Sequence, residues 1–280
     1  MTKIYKAVIP VAGRGVRFLP ATKATPKEML PVVDKPAIEY VVTEAVEAGL
    51  TDVLMITGRN KRALEDHFDR NTELEDALQS RNDADKLKLV QASTELARIH
   101  YVRQGDPQGL GHAVLQAEDH VGNQPFAVLL GDDLIDDRDP ILPAMIEAQQ
   151  KYGGSVICLM RVPRDRIHLY GCASVATIHE DGVIQVSDLV EKPAVDEAPS
   201  DLAVIGRYIL DPAVFNILHQ TAPGKGGEIQ LTDALKVMTS LPAEQGGGVV
   251  GVVFSGRRYE DRKSTRLNSS HTDISRMPSS

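Results

Sequence analysis

The chain has no tryptophan, 5 phenylalanines, 7 tyrosines and 2 cysteines among its 280 residues. With so few aromatics it lacks the stacking platform that single-stranded nucleic acid requires. A net charge of −8 also removes the broad basic surface used to hold a phosphate backbone. Nucleic-acid binding is therefore excluded. Cys158 and Cys172 stand singly inside apolar, strand-like segments without the paired spacing of metal sites, and read as buried, inert thiols. No apolar run is long enough to cross a membrane. The start, MTKIYKAVIP, goes straight into a strand with no signal-peptide core, so a cytoplasmic protein is expected. The length suits one large or two modest domains.

An acidic protein that handles anions must gather its cations locally, and one stretch does so. Lys6 to Pro31 reads KAVIPVAGRGVRFLPATKATPKEMLP: an apolar run (Ala7, Val8, Ile9, Val11, Ala12) breaks at Gly13-Arg14-Gly15 into a loop carrying Arg17, Lys23 and Lys27. Glycines let backbone N–H groups approach a ligand, and the neighbouring cations favour a polyphosphate. A plain strand-to-helix turn with solvated basic residues is the other reading. A P-loop is excluded because no Lys-Ser or Lys-Thr follows the last glycine. The dinucleotide fingerprint, and with it an oxidoreductase, is disfavoured because Phe18 stands where a glycine belongs.

Strand-like and helical segments then alternate. Ala37 to Gly49 has helical periodicity, and TDVLMITG is a strand; residues 61–97 form a charged helical excursion. IHYVRQ is a strand, GLGHAVLQAEDHV a helix opened by glycines, FAVLLGDDLI a strand ending in Gly131-Asp132-Asp133, PILPAMIEAQQKYGG a helix and SVICLMRV a strand. This order predicts an α/β fold with a mixed, mainly parallel central sheet and helices on both faces. After Arg161 come CASVATI, VIQVSDLVEKP and LAVIGRYIL, which predict a small antiparallel extension, followed by helices PAVFNILHQ and LTDALKVMTS and a last strand GVVGVVF. Residues 1–260 are expected to form one domain with two halves, 1–160 and 161–260. Ligands of such sheets gather at the carboxyl ends of the strands, where the glycine loop, the loop after IHYVRQ and the Gly-Asp-Asp turn all fall.

Asp132-Asp133 at a strand end suits a hard cation that bridges to phosphate. Adjacent strand residues point to opposite faces, so only one of the two is expected to be a direct ligand. By itself the run RQGDPQGLGHA, with Gln104, Gly109 and Gly111 after a strand, reads as a helix cap. Glu191-Lys192-Pro193 at a strand end is either ordinary surface or a cation held beside an acceptor.

The glycine loop resembles AGxGTRxLPxTKxxPKExLP, the signature of the sugar-1-phosphate nucleotidylyltransferases, most closely the bacterial glucose-1-phosphate uridylyltransferases. The resemblance runs from about Ile4 to Tyr259, and Val16 replaces the usual threonine. LVEKP and GEIQLTDA are its most particular motifs. It implies a Rossmann-like nucleotide-diphospho-sugar transferase fold with a sugar-binding extension, and an enzyme joining UTP and glucose 1-phosphate into UDP-glucose and pyrophosphate. A dTTP- or CTP-dependent counterpart and a non-catalytic nucleotide-sugar-binding protein are the alternatives.

By the resemblance, the loop at Ala12, Gly13 and Gly15 holds phosphates with Arg17 and Lys27, and Asp132 binds Mg²⁺. Gln104 and Gly109 take the pyrimidine, Gly171 lies by the nucleotide sugar, and Lys192 takes the sugar phosphate. Glu191, Gly206 and Glu228 line the glucose pocket, so that 1–160 is the nucleotide-binding half and 161–260 the sugar-phosphate-binding half. It further implies a homodimer or tetramer.

After Arg257-Arg258-Tyr259 the family continues with Asp-Thr-Gly or Asp-Cys-Gly, whose aspartate is a second metal ligand, and then a packing helix. Here Glu260 is followed by DRKSTRLNSSHTDISRMPSS, which is patternless and reads as disordered. DRKSTRLNSSH resembles a translated sequencing adapter, so residues 261–280 read as artefactual and the chain as truncated, with impaired activity expected.

Overall fold

A computed structural model of the chain describes residues 4–260; the reading of residues 261–280 lies outside the described residues. In the first half, β1 (Lys6–Pro10) leads through the cationic loop to a small hairpin, β2 (Pro31–Val32) and β3 (Lys35–Pro36), then to α1 (Ala37–Glu47) and β4 (Asp52–Thr57). The charged excursion is three helices, α2 (Arg62–Phe68), α3 (Thr72–Ser80) and α4 (Ala84–Glu95). The side chains of Asn71 and Asp83 cap α3 and α4 by accepting from Leu74 N and Lys86 N. β5 (Arg98–Arg103), α5 (Leu110–Leu115), α6 (Glu118–Val121), β6 (Phe126–Leu129), β7 (Asp133–Ile135) and α7 (Leu142–Tyr152) complete this half.

The second half holds β8 (Ser155–Arg161), β9 (Gly171–Ile178), β10 (Ile184–Glu191), β11 (Leu202–Leu210), α8 (Ala213–Gln220), α9 (Leu231–Thr239), β12 (Val249–Val253) and β13 (Arg258–Glu260). One nine-stranded sheet carries both halves, in the order β5-β4-β1-β6-β11-β8-β12-β10-β9. β5, β4, β1 and β6 run parallel, as do β8 and β12.

The antiparallel strands are β11, between β6 and β8, and the pair β9 and β10. LAVIGRYIL thus lies at the sheet's centre and not in the peripheral extension expected for it. The physical reason is in its composition: all nine residues of β11 are buried, and a run apolar on both faces cannot sit at an edge with one face in water. The extension proper is β9 with the outer part of β10.

The sheet is covered on both faces. Val8, Leu54, Phe126, Val128, Phe215 and Leu235 belong to one apolar cluster, with α5, α8 and α9 upon it. Ala7, Ile9, Ile38, Val53, Leu129 and Met145 belong to the other, with α1 and α7. Alternate residues of β1 divide between the two, as period two requires. Cys158 and Cys172 are free and buried, and burial pushes the Cys158 thiol well above its usual range. No helix among the described residues is long and apolar enough to cross a membrane.

Candidate active site

β1, β5 and β6 are parallel members of one sheet, so the loops leaving their carboxyl ends emerge on one edge. At that edge lies a cleft of about 250 Å³, lined by Arg17, Asp132, Gly171, Glu191, Lys192, Gly206 and Glu228 among others. These seven residues were singled out in the sequence, and they arrive from both halves of the chain.

The cationic loop folds as short 3₁₀ turns, and Lys27, in the turn Lys27–Met29, reaches the Asp132 carboxylate with its Nζ. Gly15 sits against Lys27 and Thr22, whose hydroxyl donates to the Gly15 carbonyl at 2.6 Å. Ala12 is buried, Gly13 is exposed, and Arg17 projects from the next turn into the cleft. Val16 is 65% exposed, and nothing in the structure explains its replacing a threonine.

The two aspartates take different roles, although Asp132 lies in the turn before β7 and not in a strand with Asp133. Asp132 faces the cleft beside Lys27. Burial raises its carboxyl, but the Lys27 ammonium outweighs this and holds it below the usual range, hence ionised. Asp133 opens β7 and points inward; it accepts from Gly206 N at 2.8 Å and takes both arms of the Arg258 guanidinium, at 2.6 and 2.8 Å. Gly206 has to be glycine here, because a Cβ would lie 2.6 Å from the Asp133 Oδ2.

On the sugar side, β10 ends at Glu191, and Lys192 turns away with φ +46°. A lysine in the left-handed region costs about 1 kcal/mol, and such strain gathers at working sites. The Lys192 amide donates to the Tyr170 carbonyl at 3.0 Å, and its ammonium lies 2.7 Å from Glu191 Oε1. The Thr232 hydroxyl donates to Glu191 Oε2 at 2.7 Å. Gly171 lies against that pair, and Glu228 accepts from Gln230 Nε2 at 3.2 Å.

Gln104 and Gly109 lie beside the cleft and do not line it. Gln104 is buried and donates from Nε2 to the Gly109 carbonyl at 3.2 Å; its Nε2 is also 3.0 Å from His112 Nδ1. Gly109 has φ +105° and packs so closely on the other half that a Cβ would meet Glu228 Cβ and the Ile229 carbonyl at 2.7 Å. Backbone bonds Gly111 N to Ile229 O, 2.8 Å, and Ile229 N to Gln108 O, 2.7 Å, tie the two loops together.

Sequence reasoning missed Arg258, Thr232 and Arg207. Arg258 is 125 residues from its partner Asp133, and only the pairing of β13 with β7 joins them. Arg207 looks like an interruption of an apolar strand. Its guanidinium is fully buried, donates to Glu44 from Nε (3.0 Å) and Nη2 (2.6 Å), and donates to the carbonyls of Asp133 (2.7 Å) and Gly206 (3.1 Å). It clamps the Gly-Asp-Asp turn from beneath.

Asp132, whose ionised carboxylate lines the cleft and whose side chain is 34% exposed, can hold a metal. The register of β13 sets Glu260 opposite Asp133, so the backbone at residue 260 lies beside the same turn. A carboxylate with the rest of the shell left to water and phosphate is a Mg²⁺-type donor set, so Asp132 fits a hard cation.

The nucleotidyl transferase family model matches residues 6–247. The chain belongs to the nucleotidyl transferase family. This nucleotidyl transferase is 48% identical to the UTP–glucose-1-phosphate uridylyltransferase of Streptococcus pneumoniae, over 92% of this chain and 86% of that one. It is 52% identical to a Bacillus subtilis UTP–glucose-1-phosphate uridylyltransferase, over 84% and 78% of the two chains. Among solved structures, a UDP-glucose pyrophosphorylase complexed with UDP-glucose superposes with a TM-score of 0.80 at 45% identity, covering 92% of this chain and 93% of that one. A UTP-bound enzyme of the same name from Acinetobacter baumannii gives 0.82 at 41% identity, covering 92% and 88%.

Proposed function

We propose that this transferase converts UTP and glucose 1-phosphate into UDP-glucose and pyrophosphate. A phosphate oxygen of the sugar phosphate attacks the α-phosphorus of UTP in line, and pyrophosphate leaves. The observation that carries this reading is the meeting of Arg17 and Asp132 with Glu191 and Lys192 across one cleft. It is joined by the chain's likeness to uridylyltransferases at 48–52% identity, which favours neither the dTTP or CTP alternative nor a non-catalytic role.

The attacking phosphate is already ionised, so no general base is needed and the protein's work is positioning and charge. The loop amides at Ala12, Gly13 and Gly15 and the Arg17 guanidinium hold the departing pyrophosphate. Lys27 exchanges the Asp132 carboxylate for the α-phosphate region when the nucleotide arrives. Gln104 and Gly109 hold the uracil, and Gly171 leaves room for the ribose. Lys192 fixes the sugar phosphate, while Glu191 and Glu228 receive the glucose hydroxyls in a pocket that Gly206 helps to line.

Asp132 would hold Mg²⁺, which when bound would neutralise phosphate charge. The protein works in the cytoplasm as a homodimer or tetramer, a state that light scattering reads directly. The deciding assay is pyrophosphate release with glucose 1-phosphate across UTP, dTTP and CTP. The expected result is turnover greatest with UTP. Equal turnover with dTTP, or tight UTP binding without pyrophosphate release, would overturn the reading.

A further inference from the structure

At the sheet edge opposite the cleft, three metal-ligating side chains converge that nucleotidyl transfer does not use. Asp52 opens β4, and His100 lies in β5 in register with Leu54, two residues further along β4. With period two, Asp52 and His100 share a face. His120 descends onto that face from α6. We propose that Asp52, His100 and His120 form a site for a divalent transition-metal ion, of which Zn²⁺ is the representative.

The geometry carries the proposal. Nε2 of His120 lies 2.9 Å from Oδ1 of Asp52, and Nε2 of His100 lies 3.6 Å from the same oxygen. One ligand atom from each of the three residues falls within 4.8 Å of the others. Metal–ligand bonds of about 2.0–2.1 Å in a tetrahedron put ligand atoms about 3.3 Å apart, between the two observed separations. The imidazole rings are inclined at 54° with centroids 4.8 Å apart. They do not stack, so both can direct a nitrogen at one point.

Two imidazoles and one carboxylate are a donor set for zinc-like ions, whereas Mg²⁺ prefers all-oxygen shells of the kind the cleft offers. The Asp52 side chain is 16% exposed, His120 22% and His100 42%, so an ion has an entry path and a fourth position open to water. The one cation of β1 at this end, Lys6, is directed at α6: its Nζ donates to the carbonyls of His120 (2.6 Å) and Val121 (3.2 Å). A bound ion would brace β4, β5 and α6 together just where Lys6 already ties β1 to α6.

The test uses untagged full chain with Co²⁺ as a spectroscopic probe, in excess Mg²⁺ to occupy the cleft. One equivalent is expected to give the intense visible absorption of four-coordinate cobalt, discharged by one equivalent of Zn²⁺. His100→Asn/His120→Asn is expected to lose at least a hundredfold in Co²⁺ affinity while keeping wild-type UDP-glucose formation. If that double variant does not fold, His100→Asn alone, at the most exposed of the three, is expected to lose about tenfold. Weak octahedral-type absorption, affinity unchanged in the His variants, or a signal abolished by Asp132→Asn would overturn the assignment.

Discussion

Replacing Arg207 by methionine removes the clamp beneath the Gly-Asp-Asp turn at nearly constant side-chain length. The Glu44 carboxylate, 14% exposed, then loses the guanidinium it is paired with. Breaking a buried pair by removing one member costs about 3–5 kcal/mol. The lost bond to the Asp133 carbonyl adds roughly 1 kcal/mol, whereas the Gly206 carbonyl keeps its bond from Leu130 N.

The expected loss is thus about 4–6 kcal/mol, a large share of a typical domain's 5–15 kcal/mol. At about 2–4 °C per kcal/mol for chains somewhat shorter than this one, the melting temperature should fall by roughly 10–20 °C. Urea unfolding and a thermal scan measure it. A second variant, Glu44→Leu with Arg207→Met, should recover at least about 2 kcal/mol, because it no longer buries an unpaired carboxylate. A loss below about 1 kcal/mol in Arg207→Met, or no recovery in the double variant, would refute the clamp.

Lys192→Ala should lower kcat/KM for glucose 1-phosphate by about 100-fold, in the range of a lost charge-assisted contact of roughly 2–3 kcal/mol, with UTP binding retained; steady-state kinetics with each substrate varied reads this. Lys61→Met should destabilise by about 3–5 kcal/mol in chemical denaturation, since Lys61 and Glu28 form an ion pair of 2.7 Å with side chains 5% and 1% exposed. Burial pushes the Glu28 carboxyl up and the Lys61 ammonium down, so Glu28→Leu with Lys61→Met should come close to wild type.

The Asp132 carboxyl is depressed below its ordinary 3.8, so its contribution to stability is complete above 3.8 and disappears as pH falls through the folded value. Lys27→Met removes the cause, so the difference in urea midpoint between wild type and variant should be constant at neutral pH and shrink on acidification below 3.8. A difference that widens in acid would contradict the assigned pairing.

By itself the sequence determined the class of the fold and much of the site. Alternating apolar and amphipathic segments dictate strands and covering helices through local periodicity, and glycines beside Arg17 and Lys27 mark a cationic loop that the structure brings to the cleft through Arg17. Tertiary structure decided what depends on partners far along the chain. The centre of the sheet went to β11 because only there are both of its faces buried. Asp133 became structural because β13 brings Arg258 to it across 125 positions, and the turn is held because Arg207 reaches Glu44 across 163. Such contacts leave no local pattern: a buried arginine looks the same in sequence as an exposed one, and only the folded chain supplies the acceptors that make its burial possible.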